Sequence, residues 1–383
     1  MNQVKTYKTI IIGAGPAGLI AGKMLSDDFL ILDKKREIGE SIQCGEGISH
    51  RALINQGIAP DKAWISSRIY RAKRFMPNGK VFGLKHKHPL GYVIDRTIFE
   101  RYLAEPITNK IKLGRRVEKL EFKEGYWSIF TQTGEVFRSK YIIGADGVNS
   151  IVRRDVFPEN RNRIESFPAI EYLVELEKEL DTSEVEIFFD NKKYSGGYAW
   201  IFPKSKTSAN IGVGGRKASM DLFTDFLNSY VKNKYGQYCL SINKSGIIPV
   251  AGQDVVLIKN NVFLVGDAGG LADPLFKGGI TRAILSAKIC SMCINEEQIK
   301  DYKKRLQLTG LLNHDLRKGA RAFDAFDNEV LNDLGEVLEG KGTPYLKTGS
   351  GLIQLLSRKS LRKNIIKIFI FFRAWWKNRD YLW

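Results

Sequence analysis

The sequence predicts an α/β chain, and three observations predict it. Residues 9–13, TIIIG, form a continuous apolar run ending in glycine, as a strand buried on both faces does. AGPAGLIAGKMLSDD follows with helical spacing and FLILD is a second buried strand, which completes a Rossmann-like βαβ start. Buried strands return in YIIGAD and VFLVGDAGG only after long β-rich stretches, so a mostly antiparallel sheet interrupts the first unit.

In chain order, SIQCGEGIS (41–49) leads into a helix-like HRALINQ. Residues 68–84 read as a hairpin, because PNGK is a turn signal between alternating residues. GYVIDRTIFERYLAEPI reads as strand then helix, with Thr97 near the helix start. Residues 111–145 give a β-meander with turns at KEG and QTGE. From 165 to 250 the strands are EYLVELE, SEVEIFFD, GYAWIFPKS and SANIGVGG, interrupted by one helix, MDLFTDFLNSYVKNKY. GGITRAILSAKICSMCI is a helix; helical stretches at 296–312 and 314–340, a glycine-rich break and a basic aromatic tail close the chain. The expected division is a nucleotide-binding domain over 1–165 and 251–310, a β-rich substrate domain over 166–250 joined by the 68–84 hairpin, and a C-terminal helical region over 311–383.

Composition narrows the class. Hydrophobic residues at 43% and charged residues at 27% of 383 exclude global disorder. The net charge of +18 suits a polyanion, a phosphorylated substrate or an anionic membrane surface. No recognised nucleic-acid module accompanies that charge, so nucleic acid is not expected as a partner. Cys44, Cys239, Cys290 and Cys293 are too few and too unevenly spaced for a disulfide framework and fit a reducing compartment. The N-terminal MNQVKTYKTIIIGAG lacks the apolar core of a signal peptide, and no apolar run approaches the roughly 18 residues of a membrane span. A cytoplasmic protein, peripheral to the membrane's cytoplasmic face, is the expectation.

GAGPAG spans Gly13, Ala14, Gly15, Pro16, Ala17 and Gly18 in the GxGxxG spacing. The first glycine permits a tight turn, the second lets the backbone approach a pyrophosphate, and the third allows close helix–strand packing. Asp33, followed by Lys34, ends the next strand, where a carboxylate can accept hydrogen bonds from a ribose. NIGVGGR (210–216) is also glycine-rich but lacks a following helix at the right spacing, and it reads as sheet. In CSMC, Cys290 and Cys293 lie inside a helix, so one buried helix face is a better reading than a redox pair. No second close Cys or His accompanies Cys44, and no metal site is expected.

GADGVNSIVRR (144–154) and FLVGDAGGLADPLFKGGI (263–280), taken with the N-terminal motif, resemble the FAD-binding fold of the aromatic hydroxylases. The resemblance implies cofactor contacts at Asp146 and Gly147, at Gly266 and Asp267 near the ribityl chain, and at Pro274, Gly278, Gly279 and Ile280 near the pyrimidine end. Helix amides there would stabilise charge on a reduced flavin. Within that superfamily, CGEGIS and the Y-x-W-x-F-P strand (Tyr198, Trp200, Phe202, Pro203) resemble the geranylgeranyl reductases, over roughly residues 8–310. Members hydrogenate prenyl double bonds of archaeal lipids, phytyl precursors or quinone side chains.

That resemblance implies FAD, an electron donor that is either NADPH or ferredoxin, and an isoprenoid lipid substrate. It sets Cys44 and Gly45 beside the isoalloxazine ring, where the thiol either takes part in catalysis or is a small spacer. His50 reads as an ordinary surface histidine, more than a helical turn away. Arg96 occupies a position that relatives use on the FAD phosphates; an ion pair with Glu100 at i,i+4 is the alternative. Tyr198, Trp200 and Phe202 alternate on one strand face and line either core or a substrate tunnel. A flavin monooxygenase and a prenyl-binding escort module are the rival functions. In the tail, Ile365, Ile368, Phe369, Phe371, Phe372, Trp375 and Trp376 share one arc opposite Lys367, Arg373 and Lys377. With eight Lys/Arg against one Asp in 357–383, this predicts an amphipathic helix on an anionic membrane surface.

Overall fold

The computed structural model describes residues 4–26 and 28–378. Residues 1–3 of the N-terminal lead, Asp27 in the first βαβ unit and residues 379–383 of the tail lie outside the described residues. The apolar strand Lys5–Ile12 is central to the first sheet, parallel to Phe29–Leu32 on one side and to Val136–Gly144 on the other. Val262–Leu264 joins Val136–Gly144 in parallel, so the chain returns to this sheet after the inserted segment. Helix Pro16–Met24 packs on helix Ile280–Asn295. Ile10, Ile11, Ile31, Ile142, Ile143, Leu264, Ile284 and Ala287 form the fully buried centre.

The meander forms as the pattern predicts, with Tyr126–Thr131 antiparallel to Val117–Lys123 on one side and to Val136–Gly144 on the other. The second sheet runs in the order Tyr238–Asn243, Ile164–Leu176, Ser208–Gly214, Tyr198–Pro203, Glu184–Phe188, Arg71–Phe75, Val81–Phe82. The 210–216 glycine run is therefore strand. The PNGK hairpin joins this sheet, Arg71–Phe75 lying parallel to Glu184–Phe188. A small third sheet of Gly47–Ser49, Gly91–Ile94 and Ile65–Ile69 links the two. In it, Asp95 caps the helix Arg96–Ala104 through the Ile98 amide at 3.0 Å.

CSMC lies in helix Ile280–Asn295 with both sulfurs buried. Burial pushes both thiols up, Cys293 to about 11, so neither is a thiolate at neutral pH. His50 opens helix His50–Asn55, as HRALINQ predicts, but it is half-buried rather than on the surface: the short strand Gly47–Ser49 precedes it, and its Nδ1 lies 2.6 Å from the Tyr92 hydroxyl.

The tail departs more. Helix Ile365–Asn378 packs along helix His314–Asp324. Ile368, Phe371 and Phe372 are buried with Met76, Phe323, Phe326 and Leu331. Most of the apolar arc is therefore spent on the body of the protein, and Phe369, at 50% exposure, is left outside. The physical reason is that an amphipathic arc reports an apolar neighbour without saying which, and the hairpin and C-terminal helices supply one. No helix among the described residues is long and apolar enough to cross a membrane. Phe371→Ala should cost about 3–5 kcal/mol, as large-to-small changes in cores do, whereas Phe369→Ala should stay within about 0.5 kcal/mol. Urea unfolding of the two variants checks this; equal small effects would mean that the helix is not docked.

Candidate functional site

Gly13 and Gly18 are dictated by packing. A Cβ at Gly13, whose φ is +108°, would lie 2.3 Å from the Ala145 oxygen, and one at Gly18 would lie 1.8 Å from the Gly13 oxygen. Gly15 differs: nothing lies within 4 Å of its Cβ position, and as N-cap of helix Pro16–Met24 it carries no side-chain cap. The first helical amides thus face open space, the arrangement that accepts a phosphate. Asp33 braces this loop, its carboxylate accepting the Ala14 amide at 2.5 Å and the Lys35 amide at 2.7 Å.

That space belongs to a cavity of about 930 Å³. Gly13, Gly15, Pro16, Ala17, Asp33 and Lys34 line one part; Cys44, Gly45, Arg96, Asp146, Gly147, Asp267, Gly278, Gly279 and Ile280 line it further on. Tyr198, Trp200 and Phe202 form its sheet wall. Ala14, Gly18, Pro203, Gly266 and Pro274 are not on its surface. They shape the turns and strand that hold the others, as the Gly18 contact shows. Helix Ile280–Asn295 also begins at the cavity with Gly279 as N-cap, no side-chain cap and no acid in its first turn.

Arg96 makes the i,i+4 ion pair. Its Nε donates to Glu100 Oε1 at 2.9 Å, in a pair that is buried rather than on the surface, and it still lines the cavity. Burial works against its charge, but the Glu100 carboxylate holds the guanidinium protonated. Cys44 is pushed up by burial, with Arg96 pulling the other way, and its Sγ accepts the Glu46 amide at 3.3 Å. Asp267 is likewise pushed up by burial against Arg96 and Arg153. Asp146 uses Oδ2 to accept the amides of Ile151 and Val152 at 2.7 and 3.2 Å, which starts the Ile151–Val156 helix.

Tyr198, Trp200 and Phe202 lie in a row, with ring centroids 5.7 and 6.3 Å apart along the strand. The Trp200 indole lies across Gly212 and Gly214 of the neighbouring strand; a Cβ at Gly212 would meet it at 2.4 Å. A Cβ at Gly45 would lie 3.5 Å from its Nε1, ordinary van der Waals contact. Tyr198 donates its hydroxyl to the Phe276 carbonyl at 2.6 Å, and burial holds the phenol un-ionised. The aromatic row is therefore both packed core and cavity wall.

Sequence reasoning missed a charged cluster beneath this wall. Glu46, buried to 3% exposure, accepts from Lys204 Nζ at 2.8 Å, Lys244 Nζ at 2.7 Å and Asn210 Nδ2 at 2.8 Å through Oε2. Its Oε1 takes the Arg96 amide at 3.0 Å. Burial raises the Glu46 carboxyl, but Lys204 and Lys244 outweigh it, and the net direction is down. Glu171 and Lys244 line the cavity beside it. The available signal was Glu46 inside CGEGIS itself, where attention to the cysteine passed over the carboxylate. Among the described residues no group of acids, Cys and His is arranged to hold a metal.

These features define the class: a dinucleotide-cradle α/β fold with an inserted sheet, of the kind seen in flavin enzymes. A solved flavin-dependent brominase has the same fold at a TM-score of 0.66 and 15% identity, covering 96% of this chain and 100% of its own. A geranylgeranyl bacteriochlorophyll reductase-like protein from Thermoplasma acidophilum superimposes at a TM-score of 0.80 with 21% identity, over 99% of this chain and all of the other. Residues 166–250 match the model of the geranylgeranyl reductase catalytic domain. The digeranylgeranylglycerophospholipid reductase of Methanocaldococcus jannaschii is 30% identical over 364 residues, 88% of this chain and 91% of that one. The chain belongs to the geranylgeranyl reductase family.

The Glu46 cluster carries a test of its own. Glu46→Gln leaves two buried ammonium groups short of their counter-charge and should cost about 3–5 kcal/mol. Because the folded carboxyl is held below its ordinary value, its contribution is present above that value and lost as pH falls through the folded one. Denaturation curves should therefore show the wild type losing its advantage over the variant in acid. An advantage that does not change with pH would contradict the ion-pair assignment.

Proposed function

We propose that this chain is an FAD-dependent reductase that saturates prenyl C=C bonds of a geranylgeranyl lipid or diphosphate. The observation that carries the reading is the continuity of one cavity from the Gly15 phosphate cradle to the aromatic sheet wall. FAD, when bound and reduced, supplies hydride to one alkene carbon. The open space at Gly15 and the uncapped start of helix Pro16–Met24 fit its pyrophosphate. Asp33 and Lys34 would serve its ribose end, Asp267 its ribityl chain, and the first amides of helix Ile280–Asn295 its ring. Arg96 faces the same space with a permanent charge suited to a phosphate. Cys44 and Gly45 would lie along the ring, the thiol staying protonated.

Trp200, Tyr198 and Phe202 offer a prenyl chain an apolar surface that orients it and excludes water. An unactivated alkene gives little charge to polarise, so holding the bond in place carries much of the rate. The relatives' names support a glycerophospholipid bearing geranylgeranyl chains as substrate. The electron donor, NADPH or ferredoxin, would dock transiently, because the second glycine-rich run is strand.

The purified protein should be yellow and, reduced anaerobically, should add the mass of two hydrogens per double bond to a geranylgeranyl lipid. A yellow protein that leaves the alkenes intact but couples NADPH and oxygen consumption to hydroxylation would instead be the monooxygenase. A colourless one would favour the escort module. Gly15→Val should keep the far-ultraviolet circular dichroism of the wild type and lose bound flavin, since only the cofactor space is filled. Retained flavin would displace the cradle from its assigned role.

Membrane contact is proposed through the residues that docking leaves free: exposed Ile353, Leu356, Ile366 and Phe369 beside exposed Lys359, Arg362, Lys363 and Lys367. A substrate with two lipid tails scarcely leaves the bilayer, and this mixture suits an anionic interface. Flotation with phosphatidylglycerol vesicles should recover the wild type and lose Ile353→Glu/Phe369→Glu. Equal recovery of both would refute this surface.

A further inference from the structure

Saturating an alkene requires a proton as well as a hydride, and the cavity holds an acid with one carboxyl oxygen unpartnered among the described residues. Glu171 is 3% exposed and lies in the cavity wall. Its Oε1 has no hydrogen-bond partner among the described residues. Its backbone is fixed on both sides, the Lys244 amide donating to its carbonyl at 2.8 Å and the Ser245 hydroxyl accepting its amide at 3.1 Å. In the sheet it stands directly opposite Gly212, which in turn stands opposite Trp200. Directly opposed residues share a face, and Gly212 has no side chain to separate them. The carboxyl thus belongs to the wall on which the indole lies.

We propose that Glu171 is the proton donor of the reduction, an inference that rests on the reductase reading above. Hydride from the reduced flavin forms a C–H bond at one alkene carbon as the π bond breaks. The Glu171 O–H bond breaks, and its proton forms the second C–H bond at the other carbon. The flavin is oxidised by two electrons, the alkene takes up two hydrogens, and Glu171 is left as a carboxylate that regains its proton from water. The groups around it are Lys244 on the adjoining turn, Glu46 and Cys44 on the CGEG loop, and Tyr198 and Lys204 at the two ends of Tyr198–Pro203, the strand beyond Ser208–Gly214. Burial raises the carboxyl well above the ordinary range, Lys244 and Lys204 opposing and Glu46 reinforcing. Burial thus favours the neutral acid, while the nearby ammonium groups steady the carboxylate formed on proton loss. Glu46 cannot fill the role, because both its oxygens accept bonds from fixed donors. Cys44 is the competing acid and serves as the control.

The test pairs spectroscopy with kinetics. Infrared spectra of the purified protein at neutral pH should show a protonated-carboxyl carbonyl band that vanishes in Glu171→Gln. The same variant, isosteric with the neutral acid, should bind flavin and substrate normally yet lose about 10²-fold in kcat, the scale of general-acid catalysis. The wild-type rate should fall as pH rises through the Glu171 ionisation, and that alkaline limb should be absent in Glu171→Gln and shifted in Glu171→Asp. An absent band, a turnover within twofold of wild type, or a limb that follows Cys44→Ser instead would overturn the assignment. A wild type that reduces no prenyl lipid would sink the reductase reading itself, whereas an active wild type with an unimpaired Glu171→Gln sinks only this inference.

Discussion

Glu46 holds two ammonium groups, an amide side chain and a backbone amide with one buried carboxylate, from a residue whose φ is +62°. A left-handed non-glycine residue costs about 1–3 kcal/mol. Hydrogen bonds to charged groups return about 1.5–3 kcal/mol each, so the side chain outweighs the strain of its own backbone. The strain has a use. It turns the CGEG loop so that Cys44 and Gly45 face the cavity while the carboxylate points into the sheet. Burying the cluster's charges consumes most of what their attraction yields. Its contribution is therefore positional: the loop, the Arg96 helix and the inserted sheet are tied at one atom group.

Close approach is the second constraint, and glycines carry it on both sides of the cavity. Gly13 and Gly18 let strand, turn and helix meet so that Gly15 opens to the cavity. On the opposite element Gly212 and Gly214 let the Trp200 indole lie over the sheet. Aromatic surface and polar groups thus share one wall. An apolar chain can lie there beside Glu171 and Lys244 without the backbone presenting unpaired groups to it.

Much of this was legible in the chain. The GAGPAG turn, the return of buried strands at YIIGAD and VFLVGDAGG, and the alternating Y-x-W-x-F-P strand each carry their periodicity locally, so the fold could be read directly, while the aromatic row stayed open between core and tunnel wall. The Glu46–Lys204–Lys244–Glu171 cluster could not be. Its members come from a loop, a strand end, a turn and a long strand separated by up to 198 residues, and nothing local marks a charged residue as buried. Glu171 even reads as one more solvent-side residue of an alternating strand. The half-burial of His50 escapes for a related reason: a three-residue strand before it, formed only by pairing with Gly91–Ile94, leaves almost no trace in the sequence.

The tail shows how a local pattern is completed by distant partners. Trp375 packs against Phe276, with ring centroids 5.5 Å apart, and lies under the Arg74 guanidinium at 5.1 Å. The Phe276 carbonyl accepts the Tyr198 hydroxyl at the cavity wall. Phe276 also belongs to the loop between Asp273 and Gly278, where Asp273 holds the amides of Leu275 and Phe276 at 2.8 and 3.0 Å. The C-terminal helix therefore reaches the cavity through one aromatic contact and one hydrogen bond. Since helix Ile280–Asn295 starts directly after that loop, the docked tail braces the aromatic wall and the uncapped amides of that helix together. The apolar arc that would suit a bilayer is better understood as the outer buttress of the site, and any membrane surface must be built from the residues that this buttress leaves exposed.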